Sequence, residues 1–150
     1  MTATAERLAV IGPDPAACKR LVQALIDAKA DEHGVLDASP LAQAVLEGHA
    51  PDWPADMFLV LIGPSDARPD PATTQLRLAL FSARAAHAVV SGPLPQQLTA
   101  ARSAWQTRQA AQERDRDPTT PRGPVWRHAC GRCGDGGCEA RVFEGVRRPS

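Results

Sequence analysis

The chain has 150 residues, enough for one domain or for one domain with a small appendage. Its 17 Lys and Arg balance 17 Asp and Glu, so no global charge draws it toward nucleic acid or an anionic membrane. No apolar run approaches the roughly 18 residues of a membrane span, and residues 8–11 are too short for a signal-peptide core. We therefore expect a cytoplasmic protein with reduced cysteines and no membrane partner.

The first half of the chain predicts two strands, each followed by a helix. Residues 8–11 form a buried apolar run, and Asp14 with Pro15 supplies the N-cap and the first residue of a helix. The apolar side chains of this helix recur on one face: Cys18, Leu21, Val22, Leu25 and Ile26. Residues 34–37 predict a weak second strand, followed by a short helix that Ser39 caps.

The second half repeats this pattern twice. Residues 57–62 predict the clearest strand, and the helix that Asp70 opens has the inward stripe Leu76, Ala79, Leu80 and Ala83. Residues 86–90 predict a fourth strand, and the last, long helix has the stripe Leu98, Ala101 and Trp105. The alternation indicates an α/β fold with helices on both faces of a parallel sheet. We expect a small, four-stranded, doubly wound, flavodoxin-like sheet of strand order 2-1-3-4.

Three of the predicted strands end in similar turns: Ile11-Gly12-Pro13, Ile62-Gly63-Pro64 and Ser91-Gly92-Pro93. All three turns fall at the carboxyl edge of the sheet, where open α/β folds bind their ligands. Two interpretations stay open. The turns could form a crevice for a small ligand or nucleotide, or they could simply end the strands, since proline prevents a strand from continuing.

Known nucleotide and phosphorelay motifs are missing from these positions. The loop after the first strand lacks the second glycine and the hydroxyl of a P-loop, and its prolines remove amide donors. The layout resembles response-regulator receiver domains at the level of the fold. Such a domain needs a phosphoacceptor aspartate where Gly63 stands, and an acidic pair after the first strand. We therefore expect no phosphorelay chemistry.

A hydrolytic catalytic set is also missing. His33 and His87 precede strands and so belong at the amino edge of the sheet, away from the expected crevice. The polar residues expected at the carboxyl edge are Asp14, Asp37, Ser65, Asp66, Arg68, Asp70 and Ser91. They include no histidine, no tyrosine and no cysteine nucleophile. Asp66 and Asp70 could act as an acid and base, although a turn and a helix cap explain them more simply. The sequence therefore favours a protein that is not an enzyme, and it leaves a small enzyme at the Gly-Pro turns as an open alternative.

The apolar pattern stops at residue 111, where a polar run begins that leads into three prolines. We interpret 1–110 as the α/β domain, 111–124 as a linker and 125–150 as a separate C-terminal tail. Cys18 belongs to the first domain, where it is either a buried core residue or a thiol activated by its helix N-terminus.

The tail contains a metal-ligand pattern, His128-x-Cys130-x2-Cys133-x4-Cys138. A Cys-x2-Cys pair followed by glycine suits a metal-binding knuckle, and the later glycines allow the chain to bring Cys138 to the same ion. A closed Cys3His site is structural rather than catalytic, and Zn²⁺ is the first choice. An iron–sulfur cluster is an alternative, although the spacing matches neither common ferredoxin run. A further alternative is that these cysteines are incidental or redox-active and bind no metal.

Two functions follow from the tail. The first is a non-enzymatic accessory or regulatory module whose metal-stabilised tail binds another protein. The second is nucleic-acid binding, because the chain from residue 120 onward carries six arginines against three acids, and Trp126 and Phe143 could stack on unpaired bases. A small-ligand or nucleotide-binding role at the Gly-Pro turns is a third possibility.

Overall fold

The computed structural model describes residues 6–66, 68–117 and 119. The elements are β1 (Arg7–Ile11), α1 (Pro15–Asp27), β2 (Val35–Asp37), α2 (Ser39–Leu46), β3 (Met57–Ile62), α3 (Pro71–Ser82), β4 (His87–Val90) and α4 (Leu94–Arg116). All four strands are parallel, in the order β2-β1-β3-β4. The predicted α/β class, the parallel sheet and the strand order are therefore confirmed.

The two central strands carry the core. Residues 8–11 of β1 and 58–62 of β3 are at most 7% exposed. Because successive strand residues point to opposite faces, their side chains divide between two clusters. One cluster lies under α1 and α4: Leu8, Val10, Cys18, Leu21, Leu25, Val35, Phe58, Val60, Ile62, Val90, Ala101 and Trp105. The other lies under α2 and α3: Ala9, Ile11, Ala38, Ala42, Val45, Leu59, Leu61, Leu76 and Leu80.

Two of the three predicted helix caps are confirmed. The Asp14 side chain accepts a hydrogen bond from the Ala16 N–H at 2.9 Å, and that of Asp70 accepts one from the Thr73 N–H at 2.8 Å. Each satisfies a backbone donor that the first turn of a helix leaves unpaired.

The third cap, Ser39, was predicted wrongly. Helix α2 begins at Ser39 itself, its N-cap is Ala38, and no side-chain cap bond is made there. The Ser39 N–H instead donates to Asp37 Oδ1 at 2.9 Å. Asp37, two residues before Ser39, thus accepts a backbone N–H at the start of α2, as in an Asx turn.

The inward helix stripes are mostly, but not wholly, as predicted. Cys18, Leu21 and Leu25 on α1 are fully buried, whereas Ile26 is 46% exposed. Ile26 lies about 100° around the helix from the centre of the stripe, beyond the width that the sheet covers. Ala83 was predicted to face inward, but it is exposed because it is the C-cap of α3, outside the helix.

Helix α4 continues to Arg116, so residues 111–116 of the predicted linker are helical. By its internal contacts the chain divides into Met1–Ala110 and Ala111–Ser150. The rest of the linker, apart from residues 117 and 119, and the whole predicted tail lie outside the described residues. Within the described ranges, no helix combines the length and apolar character needed to cross a membrane.

One ion pair joins the segment that enters β1 to α4. The Arg108 Nε and Nη2 atoms lie 2.8 and 3.0 Å from the two carboxylate oxygens of Glu6, a bidentate geometry. The Glu6 side chain is only 6% exposed and that of Arg108 is 38% exposed. The pair therefore connects positions 102 residues apart in a partly desolvated environment.

We predict that Arg108→Ala lowers the free energy of unfolding by about 1–3 kcal/mol, because it leaves the buried Glu6 carboxylate without this partner. Chemical denaturation measures the loss. Arg102→Ala, at an exposed position of the same helix, is the matched control and should change stability by less than about 0.5 kcal/mol. The double variant Glu6→Gln with Arg108→Ala should be more stable than the sum of the two single changes. Additive effects would contradict the pairing.

Candidate functional site

The strand order brings the three Gly-Pro turns together at the carboxyl edge, since β1, β3 and β4 are neighbours. A Cβ atom on Gly12 would lie 3.2 Å from Cys18 Sγ and 3.3 Å from Ile62 Cβ, and one on Gly63 would lie 3.3 Å from Val89 Cγ1. All three distances are shorter than ordinary van der Waals contact. Close packing of strand ends therefore accounts for these two glycines without a ligand.

The third turn has a different requirement. Gly92 has a φ of +87°, a conformation that L side chains rarely adopt, and its carbonyl accepts a hydrogen bond from Gln97 Nε2 at 2.8 Å. Turn geometry thus accounts for Gly92 and close packing accounts for Gly12 and Gly63, so none of the three glycines needs a ligand to explain it.

The carboxylates of this edge are engaged in local backbone structure. Asp14 caps α1 and lies 3.9 Å from the guanidinium of Arg20, with both side chains largely exposed. Asp37 accepts the Ser39 N–H. These bonds hold the carboxylates against helix N-termini and leave negative charge where a phosphate would have to bind.

Asp70 was the candidate partner of Asp66 in acid–base chemistry. It accepts hydrogen bonds from both the hydroxyl and the N–H of Thr73, at 2.6 and 2.8 Å. These bonds hold the pKa of the Asp70 carboxyl below its usual range. Asp70 is therefore an ionised helix cap at neutral pH, unsuited to donating a proton.

Cys18 is the one cysteine among the residues that the structure describes, and its side chain is fully buried beneath the carboxyl edge. Burial, followed by the negative charges of Asp37 and Asp14, raises the pKa of the Cys18 thiol from 9.0 to about 12. The N-terminus of α1 could have lowered that pKa, but desolvation and the two carboxylates outweigh it. The structure supports the interpretation of Cys18 as a core residue.

The described histidines do not converge on the carboxyl edge. His87 is the first residue of β4, and its Nδ1 atom lies 2.8 Å from the Ala85 carbonyl oxygen. His33 precedes β2. Within the described ranges, no three or more His, Cys, Asp or Glu side chains are grouped so as to hold a metal ion. The four predicted ligands, His128, Cys130, Cys133 and Cys138, lie outside the described residues.

Sequence reasoning missed an exposed surface formed by one flank of α3 and by β4. Thr74, Arg77, Leu78, Phe81 and His87 line a shallow groove of about 250 Å³ there. Leu78 is 63% exposed, Phe81 is 79% exposed and Val89 on β4 is 43% exposed. We call these six residues the α3/β4 surface. A signal was available, since Leu78 and Phe81 are large apolar residues that fall off the inward stripe of α3.

Comparisons of the chain with protein-family models, with curated proteins and with solved structures found no match.

We predict that Cys18 makes the folded protein less stable at alkaline pH. The unfolded thiol ionises near pH 9.0, whereas the folded thiol stays protonated to about pH 12. Ionisation therefore stabilises the unfolded chain, and the free energy of unfolding falls as pH rises through this window. Denaturation from pH 8 to 11 should show a shallower fall for Cys18→Ala than for the wild type.

The same burial should protect the Cys18 thiol from iodoacetamide at pH 8 in the native protein. Peptide mass spectrometry measures its alkylation with and without denaturant. Alkylation at the rate of a free thiol in native protein, or identical pH dependence in Cys18→Ala, would show that the side chain is not buried.

Proposed function

We propose that the chain is a non-catalytic accessory or regulatory module whose C-terminal tail, residues 125–150, binds zinc and a partner protein. One observation carries the non-catalytic part. At the carboxyl edge, where an α/β enzyme holds its substrate, Asp14, Asp37 and Asp70 are committed to caps and turns. The glycines there serve packing and turn geometry. What remains is a scaffold that presents other parts of the chain.

The donor chemistry of the tail supports zinc. His128, Cys130, Cys133 and Cys138 offer one imidazole and three thiolates within eleven residues, a complete tetrahedral set for Zn²⁺. The tail has too few apolar residues to form a hydrophobic core without a metal. They are Val125, Trp126, Val142, Phe143 and Val146. A structural zinc ion can contribute on the order of 10 kcal/mol to such a segment. Thiolate ligands require reduced cysteines, which agrees with our proposal of a cytoplasmic location.

Elemental analysis tests the metal site directly. We expect about one zinc ion per chain in tag-free, full-length protein purified without added metal. Cys133→Ser should lose most of that zinc because it removes one of the four proposed ligands. Cys18→Ala is the matched control, since it removes a cysteine from the core of the other domain, and it should keep its zinc. Iron in place of zinc, or full zinc retention in Cys133→Ser, would contradict the proposed site.

The arginines of the tail favour nucleic acid as the second candidate partner. Six arginines and three acids give the chain from residue 120 onward a local charge of +3. Three ligating thiolates add −3 and the zinc ion +2, which reduces the local charge to +2. A local charge of +2 is small for nucleic-acid binding, because neutralisation of phosphates by basic residues dominates nucleic-acid affinity. We therefore favour a protein partner.

Fluorescence anisotropy with a labelled single strand separates the two candidates. We expect weak binding at low salt with little dependence on salt concentration, because few phosphates can be neutralised. The charge-reduced variant Arg147→Gln with Arg148→Gln is the control and should behave like the wild type. Tight binding that falls steeply with added salt, and that this variant weakens, would replace the protein-partner proposal with nucleic-acid binding.

A further inference from the structure

The strand β4 ends the sheet with its outer edge open in the described part of the chain. It pairs with β3 alone, in the register Leu59↔His87 through Ile62↔Val90. The Ala86 and Val90 carbonyls accept the N–H groups of Leu59 and Gly63. Since neighbouring residues of a parallel strand bond to opposite sides, the backbone groups of His87 and Val89 face the open edge.

The same edge is uncovered on one face of the sheet. Val90 belongs to the core cluster under α1 and α4, and Ala88 packs against it. The cluster under α2 and α3 contains no residue of β4. Val89 is aligned with the buried Leu61, so its side chain points to that second face, where it is 43% exposed. Val89 on β4 and Leu78 and Phe81 on α3 are thus exposed apolar side chains, and His87 joins the two elements in one groove. They accompany strand backbone that no described strand pairs, an arrangement that favours strand addition.

We propose that a second copy of this chain covers the α3/β4 surface. A two-fold axis perpendicular to the sheet would place β4 antiparallel to its copy and join the two sheets edge to edge. With Val89 opposite Val89, each residue donates its N–H to the other's carbonyl, as in a hydrogen-bonded antiparallel pair. Such an interface is isologous, because one patch meets itself. The two Val89 side chains then lie side by side on the face that carries Leu78 and Phe81.

The charges of α3 favour a second copy over an unrelated apolar segment. Asp70 stands at the N-terminal end of α3, whereas Arg77 lies in its second half and Arg84 follows its C-cap. The same two-fold axis sets α3 antiparallel to its copy. The acidic start of each helix then approaches the basic half of the other, and the helix dipoles oppose one another. The antiparallel orientation thus brings the acidic end of each α3 toward the basic end of the other, whereas a parallel orientation would bring like charges together.

Light scattering coupled to size exclusion, run on the full chain from about 5 to 500 µM, tests the proposal. A strand pair of four residues and one helix flank make a small interface, so the dimer should form in a concentration-dependent way. We expect the measured mass to rise from that of one chain to that of two across this range.

Three variants locate the interface. Val89→Lys places a charge on the open edge of β4. Phe81→Glu replaces a side chain that is 79% exposed, so this variant should fold normally even if Val89→Lys does not. Each should weaken dimerisation more than ten-fold. Ile26→Lys alters an apolar residue that is 46% exposed on α1, and it should dimerise like the wild type. A wild type that stays monomeric at 500 µM, or a dimer that survives Phe81→Glu unchanged, would overturn the proposal.

Measuring dimerisation in the presence of a chelator separates the proposed α3/β4 interface from the proposed metal site of the tail. The dimer should persist in chelator and in Cys133→Ser, because the α3/β4 surface contains none of the proposed zinc ligands. Loss of the dimer in both conditions, with Phe81→Glu still dimeric before chelation, would show association through the tail and would overturn the proposed interface. Loss of zinc without loss of the dimer would instead count only against the proposed zinc site.

Discussion

Burial of β1 and β3 on both faces is the constraint on which the rest of the structure depends. Residues 8–11 and 58–62 are apolar without interruption, so neither strand can lie at an edge or turn one face to water. Helices must then cover both faces, and the short chain between consecutive strands supplies them as right-handed crossovers. The same constraint makes the carboxyl edge crowded, since Gly12 packs against Ile62 and against the thiol of Cys18.

The cover that these helices provide is unequal. Helices α1 and α4 reach across their face as far as Val90 on the edge strand, whereas the cluster under α2 and α3 stops at β3. In the described part of the chain, Val89 lies beside an open backbone edge, and the flank of α3 that carries Leu78 and Phe81 faces no other helix. This exposed surface follows from the number of strands and the placement of the helices.

Local patterns in the sequence were sufficient for the architecture. Alternating apolar runs and helical stripes predicted the parallel sheet, the general topology of doubly wound folds supplied the order 2-1-3-4, and the Asp-Pro pairs predicted where α1 and α3 begin. One source of error is that periodicity shows which side of a helix is apolar but not how far the neighbouring layer extends. Ile26 therefore proved exposed, and the exposure of Leu78 went unnoticed. Cys18 was left with two interpretations for a similar reason. Its pKa is raised first by burial and then by Asp37, a residue of β2 that is near in space but distant in sequence.

The two candidate binding features also differ in how far the sequence alone could reveal them. The metal-ligand pattern is local, four donors within eleven residues, so the sequence alone could predict it. The α3/β4 surface joins a helix flank to an edge strand and could be seen only once the sheet was assembled. The two features nevertheless share one physical character. Binding would complete both of them: a cation would complete the proposed thiolate ligands, and another strand would complete the edge of β4 that is open in the described part of the chain. An enzyme concentrates its functional groups at one substrate crevice. In this domain the corresponding crevice holds helix caps and packed glycines. This is why we propose that the chain acts by binding, with the tail as the site for an ion and the α3/β4 surface as the site for a second copy.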